Sequence, residues 1–506
     1  MTGTPGPGLP ARTWPARTWL ARAWVLLGVS SALYFLADNE ADNDLWVHLA
    51  SGRRILADGA VPRLDDLSYT AAGLPWIDHE WLTQIAFARL FDLAGSPALW
   101  LAKVAVAVCT AWLVWVPVRR HAASPWVRGA VMVLVLAAMA RGYAVRPQMV
   151  TYFGVAALLA WLDRAAAAPR WSTWALVGLG FTLWANAHGA VIAGLGVLAA
   201  YAVLPDAAAG LPRRARLALP LLAVAAICVN PYGPALLAYI AAELRGPHPL
   251  TEWQPVRLAD ATLRPFVALL IAVVATLPFA RLLRRRWWWA AIVAGLAVMA
   301  LRSQRHTPLF AIVAAAPLAD QAEAALAWMT ARTRQRLSPA ATLLVAAALA
   351  ALAGLQLATL GARLARDGGR LVYLAEEYPV GAVRHLRAAG LRGNLALPLD
   401  WGGYVLWHTA PALRVSLDGR FATVYPPPVV TDGFAFFRGD AAPDAARLLD
   451  AYDTTLVLAP RGVPTAVDDR PGWRLLYTDQ VAALWGRDGA TAAAAAEAPR
   501  GWVPFP

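Results

Sequence analysis

Charge is scarce in this chain. Of its 506 residues, 15% are Asp, Glu, Lys or Arg and 59% are hydrophobic, whereas ordinary soluble domains carry about 25% and about 45–50%. The mean hydropathy is +0.48. These proportions exclude a single soluble globular domain, a disordered chain and a collagen. Cysteine is nearly missing: Cys109 and Cys228 both lie in apolar runs. They read as packing residues, which excludes a disulfide scaffold and a thiolate metal centre. Lysine is represented by Lys103 alone, so arginine carries the net charge of +13. Those arginines form short clusters between apolar runs and not one aromatic-dotted face, so no nucleic-acid partner is expected.

What the chain has in abundance is apolar runs. A bilayer core takes about 20 mostly apolar residues per helix, with ~17–25 tolerated. Runs at 19–37, 97–117, 126–141, 148–163, 171–187, 189–204, 217–230, 265–281, 287–301, 307–320 and 339–361 meet or approach that length, which predicts about eleven transmembrane helices. Arg12, Arg17 and Arg22 precede the first run and Asp38-Asn39-Glu40 follows it without a small-residue cleavage site. It is expected to be a retained anchor and not a signal peptide.

Alternate loops are basic. Arg119 and Arg120, Arg164 and Arg170, Arg213 to Arg216, Arg281 to Arg286, and Arg332 to Arg336 fall in every second connection. The positive-inside rule then predicts a cytoplasmic N-terminus. A transmembrane domain of residues 1–364 and an extracytoplasmic domain of residues 365–506 follow. The expected location is a bacterial inner membrane. The same alternation gathers the unusual polar residues on the outer side: Asp42, Asp44, His48, Asp78, His79, Glu80, Arg141, Arg146, His188, His248, Glu252, Arg302, Arg305 and His306. Cations where the rule disfavours them need an anionic ligand or a carboxylate partner, and the acidic first loop could be that partner.

Residues 38–96 form a long first outer loop. Leu45, Leu49, Gly52, Ile55 and Leu56 fall at helical spacing, as do Trp81, Leu82, Ile85, Leu90 and Phe91. Both segments are too short and too charged to span, which predicts two interfacial helices, the first anchored by Trp46. Asp58-Gly59, Pro62, Asp65-Asp66 and Gly73 mark the turn-rich connector between them.

A long first outer loop with two such helices, the acidic Asp42-Asn43-Asp44 directly after the first span, WANAHG at 184–189 and WGGYVLWH at 401–408 resemble the GT-C superfamily of membrane glycosyltransferases. The resemblance covers the membrane part in layout and matches an uncharacterised bacterial branch. It implies a sugar donor linked to polyprenyl phosphate, taken up at the outer membrane face, and a glycan, lipid or protein acceptor. Transfer needs a carboxylate to accept the hydroxyl proton and cations to stabilise the departing phosphate. Asp42 or Asp44 can be the base, and Asp42 lies nearer the end of the first span. Asp44 and His48 stand one turn apart and share a helix face, able to orient the acceptor or to hold a divalent metal ion. Capping of the interfacial helices by Asp42, or by Asp78 or His79, is the structural alternative. Asp78-His79-Glu80 is a second acidic cluster. Arg141, Arg146, Arg302 and Arg305 have the planar fork that binds phosphate in pairs. His188 and His306 lie at the same outer level, and the long connection 230–264 is expected to cover the donor, as in GT-C layouts.

Residues 365–506 read as a small α/β domain. A helix is expected at 379–390, strands at 394–399, 402–408, 413–417 and 455–459, a helix near 443–452, and a hairpin at 473–485. Tyr425-Pro426-Pro427-Pro428 reads as a rigid connector, Asp418-Gly419-Arg420 as a turn or a substrate contact. Asp400, Trp401, Tyr404 and Trp407 read as aromatic core or a sugar platform. The final AAAAAEAPRGWVPFP looks loosely ordered. This domain contains no glycine-rich phosphate loop and no zinc spacing. A non-catalytic lipid-carrier-binding or assembly scaffold is the alternative function. A transporter is disfavoured, since apart from Lys103 the mid-span stretches lack charge and no internal repeat is seen.

Overall fold

Backbone inside hydrocarbon must satisfy its own N–H and C=O groups, so apolar runs of this length close into helices. The computed structural model describes residues 15–164, 170–207, 210–245, 250–333, 338–373, 376–438 and 446–489. His248, Arg334, Arg336 and the alanine-rich end lie outside them. Every expected span coincides with a helix. α1 (Pro15–Leu36) leads to α2 (Leu45–Asp58) and then to α3 (Trp81–His121). In α3 the helical geometry breaks at Ala94 and Gly95, with Gly95 at φ 66° just before Pro97. Glycine accepts that backbone without a Cβ clash, so the second helix of the first outer loop and the span after it join end to end.

α4 (Pro125–Met139), α5 (Gln148–Leu162), α6 (Trp171–Ala187), α7 (Ile192–Val203) and α8 (Arg213–Ile227) extend the bundle. The short α9 (Ala235–Glu243) lies in the long connection. α10 (Arg264–Ala275), the small α11 (Arg281–Arg285), α12 (Trp287–Arg302), α13 (Thr307–Thr333) and α14 (Pro339–Asp367) complete it. α1, α3, α4, α13 and α14 carry stretches long and apolar enough to cross a bilayer, and α5, α7, α10 and α12 are shorter apolar helices. The chain is a multi-pass membrane protein. α13 is its central post: every residue from Thr307 to Gln321 is buried, many of them alanine, and small residues allow close helix approach. α1 is pinned to α14 by Ser30 and Ser31, whose hydroxyls both donate to Gln356 Oε1, at 2.6 and 3.2 Å.

The last third is the expected α/β domain, built from α15 (Val380–Ala388), β1 (Gly393–Ala396), α16 (Leu399–Thr409), β2 (Leu413–Val415), α17 (Pro427–Phe437), α18 (Arg447–Asp450), β3 (Leu456–Pro460), β4 (Trp473–Thr478) and β5 (Ala482–Arg487). Its sheet runs β2-β1-β3-β5-β4, parallel from β2 to β3 and antiparallel beyond.

Three expectations are corrected. Residues 402–408 form helix α16, not a strand. The helical signal was present, since Trp401, Tyr404, Val405 and His408 are all buried at one-face spacing. The two glycines serve contact: a Cβ on Gly402 would meet Leu417 O at 2.1 Å, and one on Gly403 would meet Val47 N at 3.1 Å. Trp46 is no interfacial anchor. It is fully buried, stacked 5.5 Å from Tyr378 and tilted at 5.8 Å against Tyr404, because α16 lies over α2. The proline run is no mere connector, for Pro427 and Pro428 open α17, where a missing N–H costs no helical bond.

The long first loop, residues 38–96, is welded to this domain. Tyr69 N donates to Val415 O (3.1 Å) and Val415 N to Leu67 O (3.3 Å), which closes the open edge of β2. Just before that pairing in the loop lies Asp65, whose Oδ1 accepts from Arg420 Nη1 (2.6 Å), while Arg420 Nη2 donates to Asp418 Oδ2 (2.7 Å). Tyr425 Oη also donates to Asp418 Oδ2, at 2.6 Å. All four residues are buried.

Candidate active site

The first loop, the neighbouring helix ends and the tail domain border a cavity of about 1060 Å³. Asp44 stands at the N-terminus of α2 without capping it. Its N–H donates to Asp42 Oδ1 (3.0 Å). Asp44 lines the large cavity, whereas Asp42 lines an adjoining pocket of about 160 Å³. Arg146 stands between them, paired with Asp42 and, through Nη2, with Asp44 Oδ2 at 3.0 Å. Its Nη1 lies 3.2 Å from Glu252 Oε2, and Arg305 Nη1 donates to Glu252 Oε1 at 2.8 Å. The pairing of an outer arginine with the acidic first loop is therefore real for Arg146. Burial raises the Asp44 carboxyl to about 7 despite the adjacent guanidinium.

Glu80 is ringed by imidazoles. His188 Nε2 lies 3.5 Å from Oε1, His79 Nδ1 3.9 Å from the same oxygen, and His48 Nδ1 3.8 Å from Oε2. Burial lowers His48 and His79 to about 4 and raises Glu80, so both rings are neutral at physiological pH. The WANAHG segment builds this wall. Trp184 Nε1 donates to Thr151 Oγ1 (2.9 Å), which bonds His188 Nδ1 (2.7 Å), and Asn186 Oδ1 accepts from Trp81 Nε1 (2.9 Å). Gly189 leaves room for His79, whose ring a Cβ would approach to 3.1 Å.

Of the remaining expected residues, His306 lines the large cavity with its ring edge-on to Trp253. Arg141 faces the small pocket and donates to Asp260 Oδ2 at 2.8 Å. Asp78 is buried off both cavities. It accepts from Glu80 N (3.3 Å) and Gln84 Nε2 (2.9 Å), so it shapes the start of α3, and burial raises its carboxyl to about 7. Arg302 is exposed and lines neither cavity. Trp401 and Tyr404 are core, and Trp407 lies 4.0 Å under the Arg53 guanidinium, so these rings form no sugar platform.

The sequence gives Glu252 no role and does not single out Phe421, while it leaves Asp400 and Gly419 open between a structural part and a substrate contact; all four line the large cavity. The 418–420 turn presses on Asp44: a Cβ on Gly419 would sit 2.2 Å from its Oδ1. No local pattern announces contacts between residues hundreds of positions apart. Among the described residues no group of three or more His, Cys, Asp or Glu side chains is spaced to hold a metal ion.

The cavity continues away from its charged end as an apolar groove between α5, α7 and α12. Val155, Ile192, Gly196, Ile292, Gly295 and Leu296 line it.

No protein-family model and no curated protein matches the sequence. Among solved structures, the apo oligosaccharyltransferase of Archaeoglobus fulgidus superimposes on 89% of this chain and 70% of its own, with a TM-score of 0.56 at 14% identity. The chain has the GT-C fold. ArnT from Cupriavidus metallidurans is also similar. The structure bound to undecaprenyl phosphate covers 94% of this chain and 98% of its own, at 13% identity and TM-score 0.48. The apo structure covers 94% and 99%, at 14% and 0.49.

Proposed function

We propose that this chain is a glycosyltransferase that moves a sugar from a polyprenyl-phosphate-linked donor to an acceptor hydroxyl at the outer face of a bacterial inner membrane. The observation that carries this reading is the continuity of the cavity. A charged end, where Arg146 and Arg305 stand among Asp44, Glu80 and Glu252, opens directly into an apolar groove between helices. An amphipathic lipid phosphate has the same division of chemistry. The fold shared with an oligosaccharyltransferase supports the reading, as do the basic alternate loops, which favour a cytoplasmic N-terminus and an outer tail domain.

Asp44 is the better base. It faces the large cavity, and its carboxyl near 7 suits proton transfer at physiological pH. The acceptor oxygen attacks the anomeric carbon and its proton passes to Asp44. The bond from that carbon to the phosphate oxygen breaks, and the phosphate leaves with the electron pair toward Arg146 and Arg305. Direct displacement inverts the anomeric centre. Glu80 and its neutral histidines are placed to hydrogen-bond acceptor hydroxyls.

Native mass spectrometry of the gently extracted protein tests the reading. Wild type is expected to retain a polyprenyl phosphate or its sugar conjugate. An Arg146→Ala, Arg305→Ala variant loses it, while the exposed Arg302→Ala keeps it. Bare protein in all three, with the fold intact, would falsify the donor assignment.

A further inference from the structure

Glu252 is the carboxylate that closes the gap between the two arginines the proposed donor needs. Its Oε2 lies 3.2 Å from Arg146 Nη1 and its Oε1 accepts from Arg305 Nη1 at 2.8 Å. Guanidinium forks bind carboxylate and phosphate through the same paired geometry. Both arginines and Glu252 border the large cavity and the small pocket alike, so the carboxylate stands at the neck between them.

The backbone beneath it is fixed. Ser303 Oγ donates to Glu252 O (3.3 Å), Gln304 N to Gln254 O (3.1 Å) and Val256 N to Leu301 O (3.1 Å). The Arg305 guanidinium also lies 4.9 Å over Trp253. Any displacement of the carboxylate is therefore a rotation of its own side chain. The small pocket offers it space and a third guanidinium, Arg141. Burial alone would raise Glu252, but Arg305 and Arg146 hold its carboxyl below the ordinary range, so it is anionic when a donor arrives. With Asp42, Asp44 and Glu80 nearby, an added phosphate would meet an excess of negative charge unless one carboxylate moved away.

We infer that Glu252 holds the seat of a lipid phosphate between Arg146 and Arg305, and that donor binding exchanges its carboxylate for the phosphate and turns the side chain toward Arg141. This rests on the donor reading proposed above. Glu252 is thus a built-in competitor that weakens binding of the bare carrier lipid and keeps the arginines paired between turnovers. An occupied seat lowers apparent affinity by the fraction of molecules in which it is free.

The test measures binding of undecaprenyl phosphate and of undecaprenol to the full-length protein, as wild type, Glu252→Gln and Arg305→Ala, with thermal unfolding as the check on folding. Glu252→Gln is expected to bind undecaprenyl phosphate about tenfold more tightly and undecaprenol unchanged, while Arg305→Ala binds the phosphate more weakly. Phosphate binding in Glu252→Gln that is unchanged or weaker, with wild-type binding intact, overturns the inference and leaves the donor reading standing. No preference for phosphate over the alcohol in wild type overturns both. Should Glu252→Gln fail to fold, Glu252→Asp keeps the charge but shortens the reach by one methylene. It is expected to tighten phosphate binding in the same direction, and the absence of tightening is again decisive against the exchange.

Discussion

At the residue scale, neighbours in sequence have opposite fates. Asp42 and Asp44 are two positions apart and face different cavities. Arg302 is exposed while Arg305 reaches into the site, because a short 3₁₀ turn over Gln304–His306 rotates one away from the other. The assignment of the base to Asp44 has a sharp consequence. Asp44→Asn should lower turnover by about 10²–10⁴-fold while undecaprenyl phosphate still binds. The carboxyl is raised to about 7, and a base must be ionised. In wild type kcat/KM should therefore rise with pH through about 7, and this limb should vanish from the residual activity of Asp44→Asn. A pH–rate profile reads both. The stability contribution runs the other way: it is present at low pH, where the folded state holds the extra proton, and is lost as pH rises through about 7.

At the element scale, the loop and the tail domain behave as one unit. α16 seats its glycines on α2 and on the turn after β2, and the connector of the first loop pairs with the edge of β2. Arg420 joins them from inside, with Asp65 on the loop and Asp418 on the tail. Removing one partner of a buried ion network strands the others, at a cost of about 3–5 kcal/mol. Arg420→Ala should accordingly unfold at lower temperature by calorimetry. Arg420→Lys should recover only part of the loss, since an ammonium cannot reproduce the fork. An unchanged unfolding temperature in Arg420→Ala would show that the network contributes nothing to holding the two parts together. The turn Asp418-Gly419-Arg420 is legible in the sequence as a turn, but its role against Asp44 is not.

At the scale of the whole molecule, the groove between α7 and α12 is where the membrane spans serve the site. A Cβ at Gly196 or Gly295 meets nothing within 4 Å, so larger side chains there fill the groove without straining the fold. Gly295→Leu should weaken binding of undecaprenyl phosphate by about tenfold, the worth of roughly two buried methylenes. Geranyl phosphate, with a far shorter tail, should lose much less. Equal effects on both lipids would place the tail elsewhere.

The sequence by itself determined the membrane class, the helices, the long first loop with its two helices and most of the polar set. These follow from composition, run length and periodicity, which act over a few turns of chain. Its glycines also had local readings as turns, and a helical period was present in 401–408 although the aromatic run suggested a strand. Tertiary structure alone decided which carboxylate faces the cavity, that Glu252 bridges Arg146 and Arg305, and that Gly419 lies against Asp44. These depend on long-range packing: α2 held between α3 and α16, and the connection around Glu252 tied to residues 301–304. A charged side chain carries no record in its own neighbourhood of which distant partner will desolvate it, and that desolvation sets its chemistry.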